Sequence, residues 1–225
     1  MTKAEIRTLT LNLADVGGEN YILNSQTTLL DELIERRLKL FSIQTRCLYD
    51  DKISMTLTVG TDQYTMDSTS VFGRPLIDVT RVMINGSYIP RATTLDMPRI
   101  NSGYLLTASA LPKVWFTHPQ RLMLYPKPDA AYDDCYVSGW FYQPAFSADS
   151  TESDIPDEYS ELACRFIAES LVETAARKKP ELIAVYDHMR LQNKMEMDSL
   201  RNRMDRHYNA VIHKSGGKNP VRSIS

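Results

Sequence analysis

The spacing of apolar residues changes twice along the chain. In residues 2–14 and 26–49 apolar side chains recur every three to four positions, as they do on one face of a helix. From Ile53 the period falls to two, which is typical of half-buried strands. After Asp154 the helical period returns. The pattern therefore predicts two helices, a β segment, a third helix and a long last helix.

The two N-terminal helices differ in how clearly they are marked. Thr2-Lys3-Ala4-Glu5 has capping-box spacing, which predicts a helix over residues 2–14, although the alternation of leucines at positions 9, 11 and 13 is also compatible with a strand. Ser25 is a candidate N-cap for the helix at 26–49. Arg37 is the one polar residue on the apolar stripe of that second helix.

Turn-forming residues divide the β segment into short strands. Gly60-Thr61-Asp62-Gln63 predicts one turn, and Asn85-Gly86 predicts a tight hairpin. Short, regularly spaced strands with such turns between them indicate an antiparallel sandwich or a small barrel. The strands are predicted at residues 53–59, 76–84, 113–117, 121–125 and 135–143.

The C-terminal part is predicted to be helical and then flexible. Pro156 suits the first helical position, and Asp157 and Glu158 complement the helix dipole. The last helix, predicted over residues 180–208, would be about 43 Å long at about 1.5 Å per residue. Its apolar face thins after Met189, so we expect it to extend beyond a globular core. Glycines and a proline at 216–220 predict a flexible tail.

Together these patterns predict an α+β fold. We expect residues 1–50 and 152–210 to form a discontinuous helical bundle, since each half has an apolar stripe to cover. Residues 51–151 would be an inserted antiparallel β domain. A long C-terminal helix would then lead into an extended tail at 211–225.

Composition limits the possible functions. With 225 residues, of which 43% are hydrophobic, the chain can build a sizeable core. A net charge of -2 argues against a stand-alone nucleic-acid binder. No apolar run approaches the roughly 20 residues that span a bilayer, and no secretory signal is recognisable, so no membrane partner is predicted.

No catalytic residue, metal site or cofactor is predicted. The three cysteines, Cys47, Cys135 and Cys164, are far apart and odd in number, which favours reduced core thiols over a disulfide framework or a zinc site. The four histidines lack metal-ligand spacing, and neither a glycine-rich phosphate loop nor Gly-x-Ser-x-Gly occurs. We therefore expect a non-enzymatic protein.

Two clusters are candidates for contacts with other molecules. The first is aromatic; sheet core is its commoner explanation, and a subunit interface is the alternative. It comprises Trp115, Tyr136, Trp140 and Tyr142. The second is the basic group Arg201, Arg203 and Arg206 on the last helix. A solvated face, an acidic partner or DNA in a channel would each account for it.

Five segments, in this order, resemble the head-to-tail adaptor (connector or neck) proteins of tailed bacteriophages. Each is only a strand, turn or helix signal, so the resemblance rests on their order and spacing over residues 26–205. They are LTVGTDQY at 57–64, IDVTRV at 77–82, PKVWF at 112–116, LMLYPKPD at 122–129 and IPDEY at 155–159.

The resemblance implies a structural virion protein of the neck, between capsid and tail, that is synthesised in the host cytoplasm. Such adaptors form a ring, typically dodecameric, beneath the portal protein, extend the DNA channel and provide the docking site for a tail or nozzle protein. Contact with the double-stranded genome would be transient and non-specific. In such a ring Arg201, Arg203 and Arg206 are the candidates for lining the channel.

The resemblance also implies that a C-terminal segment clasps the portal. In this chain that role would fall to the tail, with Val211, Ile212, Val221 and Ile224 as apolar anchors. A tail-terminator or tail-tube component is the alternative, although those folds are mostly β structure. A cytoplasmic enzyme or regulatory module is a third hypothesis, which would need a pocket with convergent polar groups.

Overall fold

The computed structural model of the protein describes residues 1–14, 27–93, 95–97, 108–132 and 134–214; for residues 27 and 208–214 it describes the backbone alone. The fold is α+β, and the elements follow the predicted order. The helices are α1 (Lys3–Ala14), α2 (Thr27–Thr45), the short α3 (Thr69–Phe72), α4 (Asp157–Ala176) and α5 (Ile183–Lys214). The strands are β1 (Tyr49–Ser54), β2 (Gln63–Thr65), β3 (Leu76–Ile84), β4 (Ser87–Ile89), β5 (Val114–His118), β6 (Arg121–Tyr125) and β7 (Cys135–Phe141).

The chain divides into two compact units. One, the helical unit, comprises Met1–Leu48 and the residues from Tyr142 to the end of α5. The other, the β unit, comprises Tyr49–Phe141. Compactness does not show that either unit folds alone, so the domain boundaries drawn from the sequence stay a prediction.

The first segment is a helix, and its capping box explains why. The backbone N–H of Thr2 donates to Glu5 Oε2 at 2.8 Å, and the N–H of Glu5 donates to Thr2 Oγ1 at 3.3 Å. These bonds satisfy two N–H groups at the helix start that have no partner within the helix. The competing strand interpretation is wrong.

Helix α2 is shorter than predicted. It ends at Thr45 rather than at residue 49, because Arg46 takes a left-handed backbone conformation with φ of 53° and β1 begins at Tyr49. The proposed N-cap, Ser25, lies outside the described residues. The buried stripe of α2 includes Leu30, Ile34, Leu38 and Phe41.

The two C-terminal helices form a hairpin. Pro156 is the N-cap of α4 rather than its first helical residue, and Asp157 and Glu158 fall in the first turn as predicted. A 3-10 turn, Pro180–Leu182, leads into α5. That helix ends at Lys214, six residues later than predicted, so the first four residues of the predicted flexible tail are helical. Its 32 residues correspond to about 48 Å.

The β unit consists of two antiparallel sheets, with strand orders β1-β7-β3-β4 and β2-β6-β5. The sequence placed the first strand at residues 53–59, whereas β1 spans Tyr49–Ser54. Met55 and Leu57 are nevertheless buried beyond its end. The hairpin between β3 and β4 is confirmed: Asn85 and Gly86 have φ of 50° and 74°, as a type I′ turn requires.

Candidate assembly surfaces

Helix α5 has both a buried and an exposed face. Asn193, Met197 and Leu200, spaced at i, i+4 and i+7, are buried. On the other face Leu191 is 59% exposed and Met195 is 65% exposed. Two large apolar side chains at i, i+4 on an otherwise polar face form a small apolar ridge. Such a ridge is a candidate contact surface.

A cleft of about 410 Å³ runs along one flank of α5, where α2 and α4 meet it. We call it the basic cleft, because Arg190, Lys194 and Arg201 line it. Their i, i+4, i+11 spacing places all three on the same flank. Arg201 is held in place, since its Nη1 donates to the carbonyl oxygen of Gln44 at 3.3 Å. Two carboxylates, Glu169 and Asp198, also line the basic cleft.

A buried polar network supports the wall of this cleft. Asn193 Nδ2 donates to Glu169 Oε2 at 3.0 Å and to the carbonyl oxygen of Arg165 at 3.2 Å, which joins α5 to α4. From α2, Arg37 Nη2 lies 3.9 Å from Glu169 Oε1. Burial lowers the pKa of Arg37 from its ordinary value. Glu169 is thus engaged within the chain, and its charge is partly compensated there.

A second cleft, of about 280 Å³, lies on the opposite flank of α5, beside the start of α4. We call it the acidic cleft, because it is lined by three glutamates and two arginines. The guanidinium of Arg165 binds Glu196 with both terminal nitrogens, one of them at 3.0 Å, so this pair is neutralised. Glu158 and Glu161 are exposed, the Glu161 side chain by 73%, and Glu161 makes only a long contact with Arg165, whose Nε lies 3.9 Å from Glu161 Oε1. The five residues are Glu158, Glu161, Arg165, Glu196 and Arg203.

The comparison with known protein families bears on what these surfaces do. The family model described as SU10 adaptor protein matches residues 1–214, which is nearly the whole chain. The chain belongs to the SU10 adaptor protein family. This is a family of phage head-to-tail adaptors, so the resemblance seen in the sequence is confirmed. No curated protein matches the chain.

Family membership establishes the general role of this adaptor. It is a structural phage protein of the virion neck, and its family implies interaction with portal and tail proteins. A structural family also suggests a non-enzymatic role. In the part of the chain that the structure describes, no cluster of histidine, cysteine, aspartate or glutamate could hold a metal, and no helix is long and apolar enough to cross a membrane.

The three arginines predicted to line a channel do not share one face of the adaptor's last helix. Arg201 lies in the basic cleft. Arg203 and Arg206 instead line a groove of about 420 Å³ next to Met195. The guanidinium of Arg203 is also 5.9 Å from the ring centre of Tyr159. Contact of these arginines with DNA stays a prediction.

The four aromatic residues do not form one cluster in the adaptor. Trp115 and Trp140, 1% and 3% exposed, belong to the core of the β unit. The indole N–H of Trp115 donates to the carbonyl oxygen of Ile89 at 3.1 Å. Tyr136 is half-buried beneath Lys52 Nζ, which lies 4.4 Å from its ring centre. The subunit-interface role stays a prediction, and the two tryptophans have little surface to offer it.

Tyr142 belongs to the helical unit, where Lys39 Nζ lies 4.2 Å from its ring centre.

The four residues predicted to anchor the tail on the portal have side chains that the structure does not describe. Val221 and Ile224 lie outside the described residues and beyond the region that the family model matches. Val211 and Ile212 belong to α5, but their side chains are outside the described part.

The cysteines are free and buried, as predicted. Burial raises the pKa of Cys47 and Cys164 to about 11 and that of Cys135 to about 12. A thiol with so high a pKa is a poor nucleophile at neutral pH. These residues are therefore packing residues of the adaptor.

Proposed function

We propose that this adaptor forms a dodecameric ring beneath the portal, where it extends the DNA channel and provides the docking site for the tail or nozzle protein. The observation that carries the proposal is the family match over residues 1–214. A protein that joins a portal to a tail must leave a central passage for the genome, and a ring does so. The subunits would be synthesised in the host cytoplasm and then join the neck.

The charges on α5 support a closed ring. Subunits in a ring meet through a heterologous interface, in which each copy contributes two different surfaces. The basic and acidic clefts are two such surfaces on the same helical unit, and they differ in charge. A two-fold dimer would instead require one self-complementary surface.

The channel role is proposed for Arg201, Arg203 and Arg206, and it is best supported for Arg206, because Arg201 and Arg203 also line the two clefts. Arg203 and Arg206 are exposed on α5, and Arg206 has an open groove beside it. The net charge of -2 keeps non-specific DNA affinity low, so contact with the genome would be transient. Replacing Arg206, which lines neither of the two clefts, with glutamine should leave ring formation unchanged and slow DNA ejection from assembled particles. Unchanged ejection would contradict the channel role.

The portal clasp is proposed for the C-terminal residues, with Val211, Ile212, Val221 and Ile224 as anchors. Two truncations would distinguish the contribution of the helix end to portal binding from that of the tail. A chain that stops after Lys214 lacks Val221 and Ile224, and one that stops after Tyr208 lacks all four anchors. We expect stepwise loss of portal binding in a pull-down assay. Full binding by the shorter chain would refute the clasp.

Cryo-electron microscopy of the full chain, alone and mixed with the portal protein of the same phage, tests the ring. A ring seated on the portal, with a continuous central channel, is the expected result. Failure to bind the portal, with or without self-assembly, would refute the proposal and favour a tail-terminator or tail-tube component. Counting subunits in the same images tests the dodecamer.

A further inference from the structure

We propose that, in this ring, the basic cleft of one subunit binds the acidic start of α4 of the next subunit. The inference rests on the proposed ring and identifies the surfaces that would close it. Its basis is the juxtaposition of Arg190 and Lys194 on one flank of α5 with Glu158 and Glu161 beside the other flank.

The two cations of the basic cleft are available for a partner. Arg190 and Lys194 are both exposed, and neither forms an ion pair within the described part of the chain. Arg201, the third cation of this cleft, is already engaged by Gln44. Arg190 and Lys194 are four positions apart, so they present a pair of positive charges about one helical turn long.

The start of α4 offers carboxylates at a matching spacing. Glu158 and Glu161 are three positions apart on the same helix, so they too lie about one turn apart on a single face. They end a stretch, residues 147–161, that contains six acidic residues and neither lysine nor arginine. A helix turn with two exposed carboxylates can pair with two cations on another helix.

The two surfaces are placed for a head-to-tail contact. Along α5, Lys194 and Glu196 are two positions apart, which separates them by about 200° around the helix axis. The basic and acidic clefts therefore open on opposite flanks of the same helix. When one copy places its acidic flank against the basic flank of the next, the pair keeps one free basic surface and one free acidic surface, and the contact repeats until the ring closes.

The composition of the basic cleft favours a second copy of this chain over DNA. Asp198 and the partly compensated Glu169 also line the cleft, and Asp198 above all would repel the continuous negative charge of a phosphate backbone. Individual carboxylates on a helix can instead approach Arg190 and Lys194 while avoiding them. Leu191 lies between these two cations in sequence, is 59% exposed, and would add apolar area to the contact.

Charge reversal tests the contact. Arg190→Glu with Lys194→Glu should reduce ring formation on the portal at least about tenfold, because like charges would then face each other across the interface. Glu158→Lys with Glu161→Lys should have a similar effect. The four substitutions combined in one chain should restore rings, since opposite charges would meet again. Circular dichroism of each variant, before and during heating, checks that it is folded.

A matched control uses the same charge change elsewhere on the helical unit. Arg36 and Lys178 are exposed and line neither cleft. Arg36→Glu with Lys178→Glu should therefore leave ring formation at the wild-type level. A loss as large as that of the cleft variant would mean that net charge controls assembly, which contradicts the contact.

Cross-linking identifies the partner directly. A carbodiimide couples an amine to a carboxylate without a spacer, so rings built from isotopically labelled and unlabelled copies should yield mixed-label links from Lys194 to Glu158 or Glu161. Two results would refute the contact but not the ring: links from Lys194 to the portal instead of to a second copy, or unchanged assembly after charge reversal. If the wild type forms no ring, alone or on the portal, both the ring and the contact are wrong.

Discussion

Arg37 and Phe166 are joined twice: Arg37 Nη2 donates a hydrogen bond to the carbonyl oxygen of Phe166 at 3.0 Å, and its guanidinium carbon lies 3.9 Å from the centre of the Phe166 ring. A backbone hydrogen bond and a cation–π contact thus connect α2 to α4 through one side chain. The same residue also lies near Glu169. Arg37, the one polar residue on the apolar stripe of α2, is therefore a structural link within the helical unit.

Replacing Arg37 with methionine should lower the free energy of unfolding by about 3 kcal/mol. The aliphatic stem would be kept, but the mostly buried carboxylate of Glu169 would lose its nearby cation, and removing one partner of a buried ion pair is costly. Urea denaturation measures the change. Arg36→Met, at an exposed position of the same helix, should alter the free energy by less than about 0.5 kcal/mol. Equal effects of both substitutions would contradict the role of Arg37.

Replacing Thr2 with alanine should destabilise the helical unit by about 1 kcal/mol. The substitution removes the hydroxyl that accepts the Glu5 N–H, which leaves that donor without its cap. Thermal unfolding followed at 222 nm provides the measurement. Thr8 is the comparison, because its hydroxyl only bonds back to Ala4 within the helix. Thr8→Ala should cause no loss, and a loss matching that of Thr2→Ala would argue against the capping box.

Replacing Gly139 with alanine should destabilise the β unit by about 3 kcal/mol, since a methyl group has no room there. A Cβ at this position in β7 would lie 2.3 Å from the carbonyl oxygen of Asp78 in the neighbouring strand. Gly86→Ala is the comparison: its Cβ would meet nothing within 4 Å, so only the strain of a positive φ would remain, at about 1 kcal/mol. Denaturation midpoints should rank wild type, Gly86→Ala and then Gly139→Ala. The reverse order of the two variants would refute the steric argument.

The three cysteines should resist thiol reagents while the protein is folded. With pKa values raised by burial to about 11 for Cys47 and Cys164 and about 12 for Cys135, at most about one thiol in a thousand is ionised at pH 8. A chromogenic disulfide reagent should therefore label native protein slowly and label three thiols quickly in concentrated urea. Fast labelling of native protein would show that at least one thiol is accessible.

The same pKa values predict weaker folding at alkaline pH. Thiols of the unfolded chain ionise near pH 8.5, whereas the pKa values of the folded chain are about 11 and about 12, so the folded state binds more protons between about pH 9 and pH 11. Stability should consequently fall as the pH rises through that window. Unfolding midpoints at pH 8 and pH 10 measure the decrease. It should be smaller in Cys135→Ala, and an unchanged decrease there would exclude a contribution from Cys135.

Local chemistry made several elements predictable. The Asn85-Gly86 hairpin depends on two residues that readily take positive φ, and the start of α1 depends on a four-residue capping box. Both signals act over a few neighbouring residues, so they can be recognised without knowledge of the rest of the fold. The ends of α2 and β1 were misplaced, because the apolar pattern runs on through residue 59 although the backbone turns at Arg46.

The candidate surfaces were only partly predictable. The basic excess near Arg201 and Arg203 was visible in the sequence, but their separation onto two flanks depends on which face of α5 packs against α4. Arg190 and Lys194 were missed, since a two-residue pair at i, i+4 on a polar helix is common. The four aromatic residues grouped from the sequence also lie in different places, with both tryptophans in the core of the β unit.

By itself the sequence determined the order of elements, the α+β class and a resemblance to head-to-tail adaptors, because periodicity and turn chemistry are local properties of the chain. Tertiary structure alone decided that Arg37 would bind Phe166 and that the basic and acidic clefts would open on opposite flanks of α5. Such relationships join residues more than a hundred positions apart or depend on which face of a helix is covered. They arise from packing between helices, which no short stretch of sequence encodes.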